Sequence, residues 1–181
     1  MDRQERTQLL EEALAERVLV IDGATGTAIQ ARHLTAADFG GPHLEGCNEN
    51  LVLTRPDVVL DIHRGYLEAG ADIIETNTFG GTSIVLAEYG LQEHDFTLNE
   101  TAARLARQAA AEFSTPSRPR FVLGSMGPTT KAISVTGGVT FDQLVEAFHD
   151  QAAGLVAGGA DILILETQQD TRNVKAGLIG I

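Results

Sequence analysis

One stretch of this sequence occurs twice, and the repeat limits the folds that the chain can adopt. Residues 69–79 read AGADIIETNTF, and residues 157–168 read AGGADILILETQ. Each copy places Gly-Ala-Asp before a short apolar run, and Glu-Thr followed by an amide after it. A polar cluster that directly follows a buried strand lies at its carboxyl end, where parallel α/β sheets and barrels carry out their chemistry. The repeat therefore predicts two parallel strands that each deliver a carboxylate at the exit.

A third apolar run, Val18–Ile21, ends in the same way, with Asp22 and the glycine-rich turn DGATGT. Its uninterrupted apolar character predicts a strand buried on both faces. Two strands are predicted at the repeat, Asp72–Thr76 and Ile162–Leu165, and a further one at Phe121–Leu123. The sequence thus contains four apolar strands, three of which exit at an acid.

Amphipathic helices separate the strands, and several have capping signals. The pattern predicts a first helix over Thr7–Glu16 and a helix that is capped by Thr54 and stopped by Gly70. Capping boxes are predicted at Thr97 with Glu100 and at Thr140 with Gln143, and Asp170 is predicted to cap a last helix that reaches Ile181. The segment His33–Asn50 shows no period, so it is interpreted as a long loop.

The order strand–helix, four times over, predicts a parallel sheet covered by helices. Both an open doubly wound sheet and a closed eight-stranded barrel fit this order. Acids at three strand exits favour the barrel, because there several strands aim residues into one mouth. Such a barrel needs about 250 residues, and this chain has 181. We therefore interpret residues 1–181 as the amino-terminal half of a (β/α)8 TIM-barrel domain, with about the first four β/α units.

Composition excludes several classes of function. The chain has 25 acidic and 13 basic residues and a net charge of −12, which argues against a nucleic-acid partner. No apolar run approaches the roughly 20 residues of a membrane helix, and the amino terminus lacks the layout of a signal peptide. A single cysteine, Cys47, excludes an internal disulfide framework and fits a reducing cytosol. We expect a cytoplasmic protein.

The candidate site residues are those at the strand exits: Asp22, Glu75, Thr76, Asn77 and Glu166. Asp22 with its glycines fits either the binding of a substrate ammonium or a helix cap. Glu75 and Glu166 fit either a substrate pocket or a hydrogen-bond network that only holds loops in place, and one of the two acids could be purely structural. Thr76 and Asn77 add neutral donors and acceptors at the same level.

Other motifs carry less information about chemistry. The turn GSMGPT at residues 124–129 is more typical of a tight strand-to-loop turn than of an anion cradle. The five histidines show no ligand spacing. Cys47 has no second cysteine with which to build a thiolate metal site, so a buried thiol is the better interpretation.

Five segments in this order, DGATGT, GCNENLVLTRPDVV, EAGADIIETNTF, GSMGPT and GGADILILETQQDT, resemble the homocysteine S-methyltransferase family. The resemblance runs from about Arg17 to Ile181. The ADFGG…GCNE loop and ETNTF are most similar to the amino-terminal, homocysteine-binding domain of the cobalamin-dependent methionine synthases within this family.

This resemblance implies a (β/α)8 barrel that transfers a methyl group from methylcobalamin, and ultimately from methyltetrahydrofolate, to a zinc-bound homocysteine thiolate. Zinc would hold the thiol, whose ordinary pKa is about 8.5, as the nucleophilic thiolate. Asp22 matches the first-strand acid of the family and Glu166 its fourth-strand acid, and both are expected to hold the substrate ammonium. Thr76 and Asn77 match the second-strand exit and are expected to line the pocket.

The resemblance also implies what this chain lacks. The three zinc cysteines of the family lie on later strands, beyond Ile181, and Cys47 matches none of them. We therefore expect residues 1–181 to bind neither zinc nor cobalamin and to be inactive alone. The expected partners are homocysteine, the other half of the barrel, and the folate, cobalamin and activation domains of the same protein.

Two alternatives remain open from the sequence. Asp22, Glu75 and Glu166 could be oxygen ligands for Mg²⁺ or Mn²⁺ in an aldolase- or lyase-like barrel. The chain could also be a non-enzymatic half-barrel that assembles with itself or with a second half.

Overall fold

The computed structural model describes residues 3–181, which form an α/β fold around a small parallel sheet. The strands are β1 Ile73–Glu75, β2 Phe121–Met126 and β3 Ile162–Leu165. The α-helices are α1 Arg3–Glu16, α2 Thr25–Gln30, α3 Ala36–Phe39, α4 Leu51–Thr54, α5 Pro56–Ala69, α6 Ser83–Leu86, α7 Asp95–Phe113, α8 Phe141–Gly158 and α9 Thr171–Gly180. Short 3₁₀ helices lie at Pro42–Leu44, Asn48–Asn50, Ala87–Tyr89 and Gln92–His94.

The sheet has the order β1-β2-β3, and all its pairs are parallel. Residues 18–21 run beside β1, where Ile21 forms a parallel bridge to Ile73. The strands therefore follow one another across the sheet in chain order, and they are parallel, as the alternation of strands and helices predicts. Their carboxyl ends consequently meet along a single edge.

The two faces of the sheet carry two separate apolar clusters. One face packs against the long helices through Ile74, Val122 and Met126, which join the apolar sides of α7 and α8. The opposite face buries Ile73, Phe121 and Leu123, with Leu9, Leu10, Ala13, Leu19, Ile162 and Ile164 packed against them. Because side chains alternate along a strand, the next residues on this opposite face are Glu75, Ser125 and Glu166. The alternation of side chains therefore places both glutamates on this face, at the carboxyl edge of the sheet.

The prediction of a strand buried on both faces at Val18–Ile21 is wrong. Only Ile21 makes a bridge, and Val18, Val20 and Ile21 are 87%, 56% and 45% exposed. Within residues 3–181 this segment pairs on one side alone, so its apolar side chains lack neighbours on the other side. It forms an edge of the sheet.

Other boundaries also differ from the prediction. β2 continues to Met126, because residues 124–126 pair with β3. A Cβ at Gly124 would come within 2.7 Å of the Leu163 side chain, so a glycine fits there. α7 begins at Asp95, so Thr97 lies inside the helix and does not cap it. Thr54 ends α4, and Arg55 is the residue before α5.

Two caps and one stop signal are confirmed. Thr140 accepts a hydrogen bond from the Gln143 N–H, and the Gln143 side chain closes the capping box. Asp170 accepts from the Arg172 N–H at the start of α9. Gly70 ends α5 in the left-handed conformation, at φ 110°. Each of these signals involves residues within one helical turn and stands at the end of its helix.

The segment His33–Asn50 has more structure than a long loop. It contains α3 and two 3₁₀ turns, and the Asn50 amide donates to the Phe39 carbonyl. This segment lies beside the carboxyl edge of the sheet, where it provides one wall of the cleft described below. Among residues 3–181, none of the helices has both the length and the apolar character that crossing a bilayer requires.

Candidate functional site

A cleft of about 310 Å³ lies at the carboxyl edge of the sheet. Three carboxylates from different parts of the chain line it: Glu49 from the 42–50 segment, Glu75 from the end of β1 and Glu166 from the end of β3. The other lining residues are Ala24, Thr25, Gly26, Asn48, Thr76, Asn77, Thr78, Phe79 and Ser125. No lysine, arginine or histidine is among the described lining residues, so the cleft suits a cationic group.

Asp22 lies next to this cleft and is joined to it through the backbone of β1. Its Oδ1 accepts a hydrogen bond from the Glu75 N–H at 2.9 Å, whereas its Oδ2 is buried and has no hydrogen-bond partner among the described residues. Burial raises the pKa of Asp22 to about 7, and the charge of Glu75 also contributes to the increase. Asp22 is thus a carboxyl group with one buried oxygen that has no hydrogen-bond partner among the described residues.

Glu75 and Glu166 project on the same face of the sheet, and the charge of Glu166 acts on Glu75. Burial and then the charge of Glu166 raise the pKa of Glu75. The Ser125 hydroxyl donates a hydrogen bond to Glu166 Oε1. Ser125 therefore fixes the orientation of Glu166, while no hydrogen bond to the Glu75 carboxylate is seen among residues 3–181. A cation between the two acids would relieve their repulsion.

Thr76 lies in the site region, but its hydroxyl is already used. Thr76 Oγ1 accepts from the Ser125 N–H at 3.1 Å and lies 2.6 Å from Thr78 Oγ1, which donates to the Ser125 carbonyl at 2.7 Å. This closed set of bonds joins the ends of β1 and β2. The geometry assigns Thr76 to the framework of the cleft, where it has no free donor for a ligand.

Asn77 also forms a bond within the framework. Its amide donates to the Asn48 carbonyl at 2.7 Å, and Glu49 Oε1 accepts from the Gly80 N–H at 2.8 Å. These two hydrogen bonds attach the 42–50 segment to the turn that follows β1. They hold one wall of the cleft against the sheet.

Two polar residues of this site, Glu49 and Ser125, are not indicated by the sequence pattern. Glu49 lies in an aperiodic segment, and its burial, which raises the pKa of its carboxyl, depends on packing against a turn 31 positions away. Ser125 is predicted to lie in a turn over residues 124–129, and a turn does not indicate which way its side chain points. Its place on the face of Glu75 follows from strand alternation once β2 is extended to Met126.

The described residues do not form a metal site. Among residues 3–181, no group of three His, Cys, Asp or Glu side chains is placed to hold a metal ion. Asp22, Glu75 and Glu166 therefore do not form the divalent-cation site of the aldolase- or lyase-like hypothesis. Cys47 is fully buried, and burial followed by the charge of Glu49 raises the pKa of its thiol to about 11, so it remains a protonated core residue.

Comparisons with known proteins agree on one family. The model of the family described as homocysteine S-methyltransferase matches residues 19–181. The oxidized form of the homocysteine methyltransferase MmuM from Escherichia coli is 26% identical, with a TM-score of 0.72 over 92% of this chain and 59% of that one. The metallated form of MmuM is 23% identical, with a TM-score of 0.73 over 90% of this chain and 58% of that one. The chain thus spans less than two thirds of the length of these relatives.

Proposed function

This chain belongs to the homocysteine S-methyltransferase family, and we propose that it forms the homocysteine-binding, amino-terminal half of a (β/α)8 barrel that methylates the homocysteine sulfur. The observation that carries the proposal is the cleft at the carboxyl edge, which is lined by three carboxylates and by no described cationic side chain. Homocysteine has an α-ammonium group that such a cleft would bind. This is also the edge at which parallel barrels bind their substrates.

Glu166 and Asp22 are the residues that we propose for the ammonium group. Glu166 is oriented by the Ser125 hydroxyl, which leaves its second oxygen available. Asp22 has a buried oxygen without a partner among the described residues. Charge-assisted hydrogen bonds to an ammonium would satisfy both carboxylates, and they would return the raised pKa of Asp22 towards its ordinary value. Glu75 adds negative charge beside them, while Thr76 and Asn77 support the walls.

We propose that residues 1–181 by themselves bind neither zinc nor cobalamin. The only cysteine is buried as a thiol, and the described residues hold no cluster of metal ligands. When bound, zinc would supply the thiolate form of homocysteine. We propose that its ligands, and the folate, cobalamin and activation domains of a methionine synthase, lie outside residues 1–181, and that these residues alone bind substrate without transferring a methyl group.

The assignment of methylcobalamin as the donor rests on two sequence segments, ADFGG…GCNE and ETNTF. A cytosolic location is proposed from the single buried cysteine, which suits a reducing compartment.

Calorimetric titration with homocysteine tests the proposed site directly. 4-Mercaptobutyrate, which is homocysteine without its ammonium group, is the matched ligand control. We expect it to bind at least about tenfold more weakly, the equivalent of one lost charge-assisted interaction. Glu166→Gln and Asp22→Asn should each weaken homocysteine binding about five- to tenfold. Glu146→Gln, an exposed acid on α8 outside the cleft, should leave it unchanged.

Equal affinity for the two ligands would refute the role of the carboxylates. The same conclusion would follow if both site variants bound homocysteine as tightly as the Glu146→Gln control. Circular dichroism of each variant would separate a lost site from a lost fold.

A second candidate function is a non-enzymatic half-barrel that assembles with another half. The exposure of Val18, Val20 and Ile21 along one edge of the sheet favours it. Sedimentation at a series of concentrations distinguishes the two candidates. A chain that is monomeric and binds homocysteine supports the first, and a stable dimer without homocysteine binding supports the second.

A further inference from the structure

A second cleft of about 310 Å³ lies next to the amino end of β3, at the opposite end of this strand from Glu166. Three arginines line it, Arg3 and Arg6 from α1 and Arg107 from α7, and Asp161 is the one acid among its lining residues. The whole chain has a net charge of −12. A basic cleft is therefore a local feature that the overall composition does not predict.

Asp161 is already saturated by donors. Its oxygens accept from Arg6 Nε at 2.6 Å and from Arg6 Nη2 at 2.8 Å, and Arg107 Nη2 also donates to it. The Val122 N–H gives a further bond at 2.8 Å, and the side chain is 6% exposed. This single negative charge is shared by Arg6 and Arg107, so it neutralises only one of the three positive charges in the cleft.

The carboxyl end of α8 provides part of the remaining negative charge. Arg3 donates to the Val156 carbonyl, and Arg107 donates to the Gly159 carbonyl, both at the end of this helix. A helix carboxyl end is equivalent to about −0.5 of an elementary charge. Three guanidiniums, one carboxylate and one helix end leave about +1.5 in the cleft. Glu100, an acid of α7, pairs with Arg104 instead.

This excess charge is partly buried, which makes it costly. The side chains of Arg6 and Arg107 are 19% and 23% exposed. Burial lowers the pKa of Arg107, and the neighbouring charge of Arg6 adds to the decrease, although Asp161 opposes it. An anion beside the guanidiniums would offset both effects. Nε and Nη2 of Arg6 and of Arg107 already donate to Asp161 and to backbone carbonyls, so Nη1 of each and the exposed Arg3 are the donors left for it.

We propose that this cleft binds the phosphate group of a small phosphorylated molecule or free phosphate, held by Arg3, Arg6 and Arg107. A phosphate dianion would more than balance the remaining charge. The cleft volume is at the lower end of the range of small-molecule sites, so it accepts a phosphate with a small organic group attached.

Thermal unfolding in the presence of phosphate tests this site. We expect about 10 mM inorganic phosphate to raise the unfolding temperature by at least about 2 °C above sodium chloride at the same ionic strength. AMP serves as the phosphomonoester probe. A larger shift with AMP identifies a phosphorylated small molecule as the ligand, and an equal shift identifies free phosphate.

Arg3→Gln is the principal variant, because Arg3 is exposed and makes no bond to Asp161. It should reduce the phosphate-dependent shift by at least half. Arg107→Lys keeps the charge and loses the Nη1 donor, and we expect a similar reduction. Arg104→Gln, on the same helix as Arg107 but 65% exposed and paired with Glu100, is the matched control and should keep the full shift.

A phosphate shift no larger than that of sodium chloride would overturn the proposal. So would a shift of full size in both Arg3→Gln and Arg107→Lys. Because each variant is compared with itself with and without phosphate, a general loss of stability does not affect the conclusion.

Discussion

Asp72 and Asp161 occupy equivalent positions in the two copies of the sequence repeat, and each accepts a hydrogen bond from the backbone of the neighbouring segment of the sheet. The donor is the Val20 N–H for Asp72, at 3.1 Å, and the Val122 N–H for Asp161, at 2.8 Å. Each carboxylate also gathers arginines, which are Arg17, Arg118 and Arg120 for Asp72, and Arg6 and Arg107 for Asp161. The two acids of each repeat thus have different roles. The aspartate binds the neighbouring segment of the sheet at the amino end of the strand, and the glutamate lines the cleft at the carboxyl end.

Asp72→Asn should lower the free energy of unfolding by about 3 kcal/mol, because it removes a buried charge that compensates the guanidinium groups around it. The hydrogen bonds from Arg17 are the main reason why the pKa of Asp72 lies well below its usual range. Its contribution is therefore present above about pH 4 and is lost as the pH falls further, since the native state must then take up a proton. Urea unfolding at a series of pH values measures both effects.

Asp61→Asn is the control for Asp72→Asn. Asp61 is 57% exposed, and its carboxylate lies 3.6 Å from Arg32. A surface pair of this kind contributes about 0 to 1 kcal/mol. A similar loss of unfolding free energy in the two variants would contradict the role of Asp72 as a buried charge that compensates the arginines.

Asp22→Asn should stabilise the protein at neutral pH and change its pH dependence. Burial raises the folded-state pKa of Asp22 to about 7, so the native state holds a proton that the unfolded chain releases near pH 4. The stability that Asp22 contributes is therefore full below about pH 4 and is lost as the pH rises towards 7. Asparagine imitates the protonated acid, and we expect a gain of roughly 1 to 3 kcal/mol at pH 8 that disappears near pH 4. A gain that did not depend on pH would show that the pKa of Asp22 is not raised in the folded state.

The contribution of His63 to stability has the opposite pH dependence to that of Asp22, over an overlapping pH range. It is fully buried on α5, and neither ring nitrogen has a hydrogen-bond partner among the described residues. Burial lowers its pKa to about 4, so stability is lost as the pH falls from about 6.5 towards 4. His63→Leu should remove this loss and raise the free energy of unfolding by about 1 kcal/mol at pH 7, because two unpaired polar atoms leave the core. If the acid side of the stability curve did not change, His63 would have to be charged or hydrogen-bonded in the native state.

Gly127→Ala should disturb the cleft through Phe79. A Cβ on Gly127 would come within 2.6 Å of the Phe79 carbonyl oxygen and 2.8 Å of its ring, and Phe79 is part of the cleft wall. We expect a loss of about 1 to 3 kcal/mol and a weaker binding of homocysteine. Gly26→Ala is the control within the same wall: its Cβ has open space inside α2, and it should stabilise the chain by up to about 1 kcal/mol. Urea unfolding and calorimetric titration measure the two effects.

The sequence predicts those features of this fold that depend on near neighbours. β3 lies at Ile162–Leu165 as predicted, because its apolar run is bounded on both sides by polar residues. The capping box at Thr140 is also correct, whereas the one at Thr97 is wrong because Asp95 begins the helix earlier. Both strand acids, Glu75 and Glu166, do reach one cleft.

Features that depend on distant contacts are not visible in the sequence. Glu49 enters the cleft because its carboxylate bonds to Gly80, and no local pattern indicates this pairing. The basic cleft combines α1 with α7, which are about 100 positions apart along the chain. Conversely, the sequence indicates that Thr76 lines the pocket, but its hydroxyl is used in a hydrogen bond to β2.

Val18→Lys should reduce self-association without lowering stability. Val18 is 87% exposed at the edge of the sheet, where unpaired backbone groups and apolar side chains form a template for another strand. A lysine there opposes strand pairing by charge and retains an aliphatic stem that can cover the edge. Val135→Lys is the matched control, because Val135 is 74% exposed in a loop away from the sheet and receives the same change of charge. Light scattering over a concentration series should show a lower association for Val18→Lys and no change for Val135→Lys. An equal reduction in both variants would assign the effect to net charge, and the edge would then not be the site of association.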